Sequence, residues 1–237
     1  MKLALLSDIH ANLTALKSVI SYCDSKYDSI SICLLGDLID YGMGPNETMN
    51  LISSLKGRLI VNLLGNHEKA LLDASQKMRF SSDRGRQASE YTASILEARW
   101  LDYFRSEMSD TPVSQEIDGL KILFVHGDLS DVYWGTMQTK EQNNNQAYQE
   151  YDVVISGHTH IPLLNYVISN KKHSTLFINP GSVGQPRNLC PNAQFAVLDT
   201  KDRSVCFECI PYAVQVEYDL YDGSVDSYYA KRLLDGI

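Results

Sequence analysis

The sequence predicts an α/β fold built on two sheets, and three observations predict it. Short apolar runs at 2–6, 31–35 and 58–64 are separated by helix-length connections, the β-α-β-α-β order of a mostly parallel, wrapped sheet. From 163 onward the chain is instead a series of short strand-like runs parted by turn residues. Several runs end in glycine-flanked polar tags, and the carboxyl ends of strands are where open α/β sheets bind ligands.

Residues 2–6 read as a buried strand, followed by the loop Ser7-Asp8-Ile9-His10. Apolar residues at 13, 16, 19 and 20 have helical spacing, with Asn12 as N-cap. The second strand, 31–35, is stopped by Gly36, which leaves Asp37 at its tip. Gly42-Met43-Gly44-Pro45 is a loop whose proline opens a helix through Met49, Ile52 and Leu55. The third strand, 58–64, ends in Gly65-Asn66-His67-Glu68. Residues 69–108 read as helical, at 84–96 and 98–104, and are expected to cover one side of the site. Runs at 113–117 and 120–125 form a hairpin turning on Asp118-Gly119, and the second run leads into His126-Gly127. The polar stretch 139–150 is expected to be a helix. A buried strand at 153–155 ends in Ser156-Gly157-His158-Thr159-His160. Strands follow at 163–168, 175–178, 195–198 and 204–210, with a rigid loop over 179–187 and a closing helix at 228–234. No repeat or low-complexity linker divides the chain, so 1–237 is expected to be a single domain.

A chain of 237 residues can bury a large core. Its net charge of −8 argues against broad nucleic-acid binding, which needs a basic footprint. A small phosphate ligand remains compatible, because bound cations supply positive charge. Of the five cysteines, Cys206 and Cys209 have CxxC spacing, but in a strand-like run with no second pair. They read as strand residues rather than a redox or zinc site. The apolar start is broken by Asp8 and His10 too early for a secretory segment, and no run approaches the ~20 apolar residues of a membrane span. A cytoplasmic protein with no membrane partner is expected, and a homo-oligomer is left open. The glycosylation patterns at Asn12 and Asn46 then carry no meaning.

Of six histidines, five fall in the polar tags: His10, His67, His126, His158 and His160. His173 lies apart in a lysine-rich turn and reads as surface. With Asp8, Asp37 and Asn66 beside them, imidazole and carboxylate donors suit Mn, Fe, Co, Ni or Zn, and no thiolate is placed to join them.

Asp8-x-His10, Gly36-Asp37-x-x-Asp40, Gly65-Asn66-His67-Glu68, His126-Gly127 and Gly157-His158-Thr159-His160 occur in the order found in calcineurin-like metallophosphoesterases. The resemblance runs over nearly the whole chain. With the 179–187 loop and the Arg232-Leu233-Leu234 close, the sequence resembles the small single-domain prokaryotic phosphodiesterase-like branch. It implies a four-layer α/β-β/α sandwich of two mixed sheets flanked by helices. It further implies two divalent cations, manganese foremost, one held by Asp8, His10, Asp37 and His160, the other by Asp37, Asn66, His126 and His158. Asp37 would bridge them, and a hydroxide between the cations would attack phosphorus in line. His67 matches the non-ligand histidine that assists the leaving group. Glu68 is expected to orient or charge the His67 ring, and Asp40 to hold a ligand histidine in its tautomer.

Where phosphoprotein phosphatases of the superfamily have arginine after the second aspartate of the GDxxD motif, this chain has Tyr41, which argues against a protein phosphatase. Asp128 stands where a small residue is usual and is expected to alter the pocket rim. Asn12, Tyr41 and Arg187 are candidate substrate contacts; Arg84 and Arg86 read rather as a solvated helix face. The implied activity is hydrolysis of a small phosphodiester or nucleotide. A phosphomonoesterase, a protein phosphatase, a nuclease and a non-catalytic protein-binding scaffold of the same fold stay open.

Overall fold

The computed structural model describes residues 1–137, 146–169 and 173–237. In chain order the elements are β1 (Lys2–Leu6), α1 (Leu13–Lys26), β2 (Ser31–Leu34), α2 (Pro45–Ser54), β3 (Leu59–Asn62), α3 (Asn66–Leu72), α4 (Asp83–Ile95), α5 (Ala98–Glu107), β4 (Val113–Ile117), β5 (Leu120–Phe124), β6 (Val153–Ile155), β7 (Leu163–Ser169), β8 (His173–Asn179), β9 (Ala193–Asp199), β10 (Ser204–Ile210), α6 (Val214–Tyr218) and α7 (Ser227–Asp235). They form two five-stranded mixed sheets, ordered β10-β9-β1-β2-β3 and β4-β5-β6-β8-β7. In the first, β1, β2 and β3 are parallel and run out to the β3 edge; in the second, the parallel pairs β5 with β6 and β6 with β8 occupy the centre. The antiparallel pairs are β1 with β9 and β9 with β10 on the other side of the first sheet, and β4 with β5 and β7 with β8 at the two edges of the second.

The alternation of side chains along a strand builds the layers. Leu3 and Leu5 of β1, Cys33, and Ala196 and Leu198 of β9 point to the second sheet, where they meet Ile122, Phe124, Val153, Ile155 and Ile178. Ala4 and Leu6, Ile32 and Leu34, and Phe195 and Val197 point the other way, onto Leu16 and Val19 of α1, Met49 and Ile52 of α2, and Trp100 and Phe104 of α5. The outer face of the second sheet, with Leu123, Val154 and Phe177, is covered by Val125, Met137 and Tyr148.

Local chemistry explains the elements. Asn12 caps α1, its Oδ1 accepting from Ala15 N at 3.0 Å. The β4–β5 hairpin turns with φ of 50° at Asp118 and 75° at Gly119, the paired positive values of a type I′ turn. α1 runs on past 20 to Lys26 because Cys23 extends its buried face. α3 starts inside the third polar tag, and α6 is a short helix that the pattern of apolar residues does not announce. The expected helix over 139–150 falls mostly outside the described residues; what is described of it is a single 3₁₀ turn at Gln146–Tyr148. His173 opens β8 rather than sitting in a turn, and its side chain lies outside the described residues.

Candidate metal centre and active site

The tips of β1, β2, β3, β5 and β6, from both sheets, meet at one point. Asp8, His10, Asp37, Asp40, His158 and His160 all adopt left-handed backbone, with φ between 48° and 68°. Such a conformation costs about 1–2 kcal/mol per non-glycine residue. It folds each strand end over so that its side chain turns inward. Glycines make room: a Cβ on Gly36, itself at φ 97°, would lie 2.5 Å from Gly65 N, and one on Gly65 would lie 2.1 Å from Asp37 Oδ1.

Asp8, His10, Asp37 and His160 each offer an atom within 4.8 Å of the others, as do Asp37, His126 and His158, so Asp37 belongs to both groups. Asn66 stands between two rings, its Oδ1 2.9 Å from His158 Nδ1 and 3.1 Å from His126 Nε2. His126 Nε2 is 3.3 Å from Asp37 Oδ2, and His160 Nε2 is 3.3 Å from Asp8 Oδ1. Apart from the partly exposed His158, these side chains are buried.

The hydrogen bonds decide what this cluster can hold. Nδ1 of His10, His126 and His160 donates to the carbonyls of Ile39, Leu35 and Gln185, at 3.0, 2.7 and 2.6 Å. In the neutral ring each Nε2 then carries a bare lone pair. Those of His10 and His160 face each other at 3.2 Å, a repulsive arrangement for two acceptors. Beside them Asp8 Oδ1 is buried with no hydrogen-bond donor. A cation satisfies all of these groups together, and the donor set of imidazole nitrogens and carboxylate and amide oxygens fits a divalent transition metal.

The electrostatics agree. Burial pushes the Asp8 carboxyl up to about 7, opposed by the His126 charge. Burial also works against ionisation of Asp37, but the imidazoles of His126, His67 and His10 outweigh it and hold that carboxyl well below its usual range. Burial disfavours the His126 cation, yet Asp37 lifts it to about 9. Burial and neighbouring positive charge hold His10 and His160 well below the ordinary histidine value and His158 at about 3. Asp37 thus draws positive charge to this point, and a metal ion supplying it would leave His126 neutral and able to ligate.

His67 is the one clustered histidine outside both donor groups. Its Nδ1 lies 2.7 Å from Asp40 Oδ2 and its Nε2 3.9 Å from Asp37 Oδ2. Burial disfavours its charged form, but Asp37 and Asp40 raise its pKa overall. Asp40 therefore holds His67, not a ligand histidine as expected. Glu68 adds to the charge that raises the His67 pKa, as expected, but makes no hydrogen bond to the ring. Its oxygens instead accept from Asp37 N, Leu38 N, Ile39 N and Gly65 N at 3.0, 2.7, 3.2 and 2.8 Å, tying the β2 tip to the start of α3. Glu68→Gln would set an amide NH₂ against two of those N–H groups. Urea unfolding is expected to show a loss of about 2–4 kcal/mol, the range for a broken buried polar network.

A model of the calcineurin-like phosphoesterase superfamily domain matches residues 1–203. The chain belongs to this superfamily. The uncharacterized protein MJ0912 of Methanocaldococcus jannaschii is 30% identical over 233 residues, covering 92% of this chain and 88% of the relative. A metallophosphoesterase from Sphaerobacter thermophilus, 26% identical, superposes over 100% of both chains with a TM-score of 0.80. The hypothetical protein PH1004 from Pyrococcus horikoshii OT3 shares the fold with a TM-score of 0.85, at 19% identity, over 100% of this chain and 98% of that one.

In this calcineurin-like phosphoesterase the cluster opens into a cavity of about 230 Å³, lined by Asp37, Tyr41, Asn66, His67, Arg79, Phe80, Ser81, Trp134, His158, His160 and Arg187. Tyr41 stacks on Tyr229, centroids 4.2 Å apart, and packs against the rings of His10 and His67. Arg187 Nε is buried without a hydrogen-bond partner. Asn12, expected at the substrate, is committed elsewhere: besides capping α1, its amide donates to Gly184 O and Tyr212 Oη, both at 3.0 Å. Arg84 lies over the Tyr228 ring and Arg86 pairs with Asp83, so neither lines the cavity. Asp128 does not form the rim; its Oδ1 closes its own turn, accepting from Ser130 N and Asp131 N at 2.7 and 2.9 Å. The walls that sequence reasoning missed are Arg79, Phe80, Ser81 and Trp134. Of these only Trp134, a large aromatic in a polar loop shortly after His126, carried a usable signal.

Proposed function

We propose that this calcineurin-like phosphoesterase is a two-metal enzyme that hydrolyses a small phosphodiester or nucleotide. The observation that carries the reading is the membership of Asp37 in both donor groups. In it, Asp8, His10, Asp37 and His160 hold one divalent cation, and Asp37, Asn66, His126 and His158 the other. When bound, such a pair draws charge from the phosphate oxygens and acidifies water. His67, pinned by Asp40, lines the cavity and in its protonated form donates its Nε2 proton to the leaving oxygen. Arg187, with no acidic partner among the described residues, binds phosphate oxygens, while Arg79 is engaged by Asp131. One free guanidinium among the described cavity residues, beside the aromatic walls of Tyr41, Phe80 and Trp134, suits the single charge of a diester better than the dianion of a monoester.

Protein reconstituted with Mn²⁺ or Ni²⁺ should hydrolyse bis-p-nitrophenyl phosphate faster than p-nitrophenyl phosphate. The reverse order would establish a monoesterase. Neither activity, together with no bindable metal, would establish a scaffold.

Removing the cations is also expected to destabilise the fold. A ligand present at a hundred times its Kd stabilises by about 2.7 kcal/mol. Chelation should therefore lower Tm by roughly 5–10 °C for a chain of this size, and added Mn²⁺ should restore it. An unchanged Tm in calorimetry would count against a metal at this point.

A further inference from the structure

The CxxC pair does not come together. Cys206 and Cys209 sit three positions apart on β10, so they point to opposite faces about 10 Å apart along the strand. Cys206 Sγ lies by Glu208 Oε1, at 3.5 Å. Cys209 instead meets Cys190, from the loop before β9, with the two sulfurs 3.2 Å apart. Both thiols reach solvent: Cys209 is exposed and Cys190 half-buried.

Both backbones are held in this relation. Cys209 is paired with Gln194 in the β9–β10 ladder, and the Gln194 amide Nε2 in turn donates to Cys190 O at 3.4 Å. Gly236, which ends α7 in left-handed conformation, packs so closely on Cys190 that a Cβ there would lie 2.6 Å from the Cys190 backbone. Gly236 O also accepts from Leu189 N at 2.7 Å. The sulfurs therefore need to close by only about 1 Å to reach disulfide bonding distance, a matter of side-chain rotation.

We propose that Cys190 and Cys209 form an oxidisable dithiol that converts to an intramolecular disulfide when it meets a low-molecular-weight disulfide such as glutathione disulfide. The exposed Cys209 thiolate attacks one sulfur of the oxidant and expels one glutathione thiolate, giving a mixed disulfide. Cys190, as thiolate, then attacks the Cys209 sulfur and expels the second glutathione. Two protein thiols are oxidised, one external disulfide is reduced to two thiols, and the protons lost by the cysteines pass to the leaving thiolates. The bridge would tie β10 to the loop that carries Arg187 three residues upstream of Cys190.

The test uses the folded, full-length protein incubated with glutathione disulfide. Free thiols, counted after denaturation, should fall by two, and the intact mass should fall by about 2 Da, as two hydrogens are lost on bridging. Peptide mapping without reductant should join Cys190 to Cys209. Cys206→Ser should form the bridge at the wild-type rate. Cys190→Ser and Cys209→Ser should not form it, and Cys190→Ser should stop at the mixed disulfide. A bridge that includes Cys206, disulfide-linked dimers alone, or a mixed disulfide that persists in the wild-type chain would overturn the proposal. The mapping of the unmutated protein gives this answer even if a serine variant fails to fold.

Discussion

Asp37→Asn should lower diester hydrolysis by at least about 10³-fold, because losing several kcal/mol of transition-state stabilisation at tenfold per 1.36 kcal/mol has that size. Asparagine keeps the shape of the side chain and can still accept from His67 N, the 3.0 Å bond that joins the β2 tip to α3. What it lacks is the charge that draws both donor groups together. It can present an oxygen on one side, but its NH₂ is a donor on the other and faces the lone pairs of the imidazoles. Metal analysis of the reconstituted variant should find fewer bound cations than in the wild type. A variant that keeps both its full metal content and its full rate would remove Asp37 from the role of bridge and, with it, the two-metal reading.

His67→Ala should have an effect set by the leaving group. A p-nitrophenolate is stable without a proton, so its departure needs little help. An alkoxide is not, and loss of a positioned acid should then cost about 10²–10⁴-fold. A slope of rate against leaving-group basicity should therefore be steeper in the alanine variant than in the wild type. Asp40→Asn gives the same argument a pH signature. Asp37 and Asp40 raise the His67 pKa against the effect of burial. An acid works only while protonated, so activity falls as pH rises through that pKa. Removing the Asp40 charge lowers the pKa, and the descending limb of the kcat/KM profile should move to lower pH. A limb that stays in place in Asp40→Asn, with an equal loss for every leaving group in His67→Ala, would assign the proton transfer to another group.

The donor residues were legible in the sequence because each combines two features: a metal-capable side chain and a position just past an apolar run, in most cases beside a glycine. The order of these tags alone therefore points Asp8, Asp37, Asn66, His126 and His160 to one place. The strands were legible for the same reason that they form, since Leu3, Leu5 and Leu6 can only be buried. What surrounds the donors was less so. Arg79, Arg84 and Arg86 lie within one short polar stretch, and nothing local tells them apart. Only the packing of Phe80 against His67 and Trp134 brings the first to the cavity and leaves the others outside. Asn12 shows the opposite limit. Its capping role was local and readable, while its bonds to Gly184 and Tyr212 span 172 and 200 residues and use up the amide that a substrate would need. Glu68 was legible only in part: its charge does favour the His67 cation, but its oxygens are spent on backbone N–H groups of the β2 tip and of Gly65, which adjacency to His67 does not announce.

The left-handed strand tips carry one more consequence. Asp, Asn and His are the non-glycine residues that most often tolerate that backbone, and they are also oxygen and nitrogen donors for divalent metals. Each position there is thus screened twice, by coordination chemistry and by torsion angle. Glutamate passes the first screen but has no such tolerance for the second. Asp37→Glu should therefore be a poor conservative change even though it keeps the carboxylate, and the same double screen narrows the alphabet from which this fold can draw its ligands.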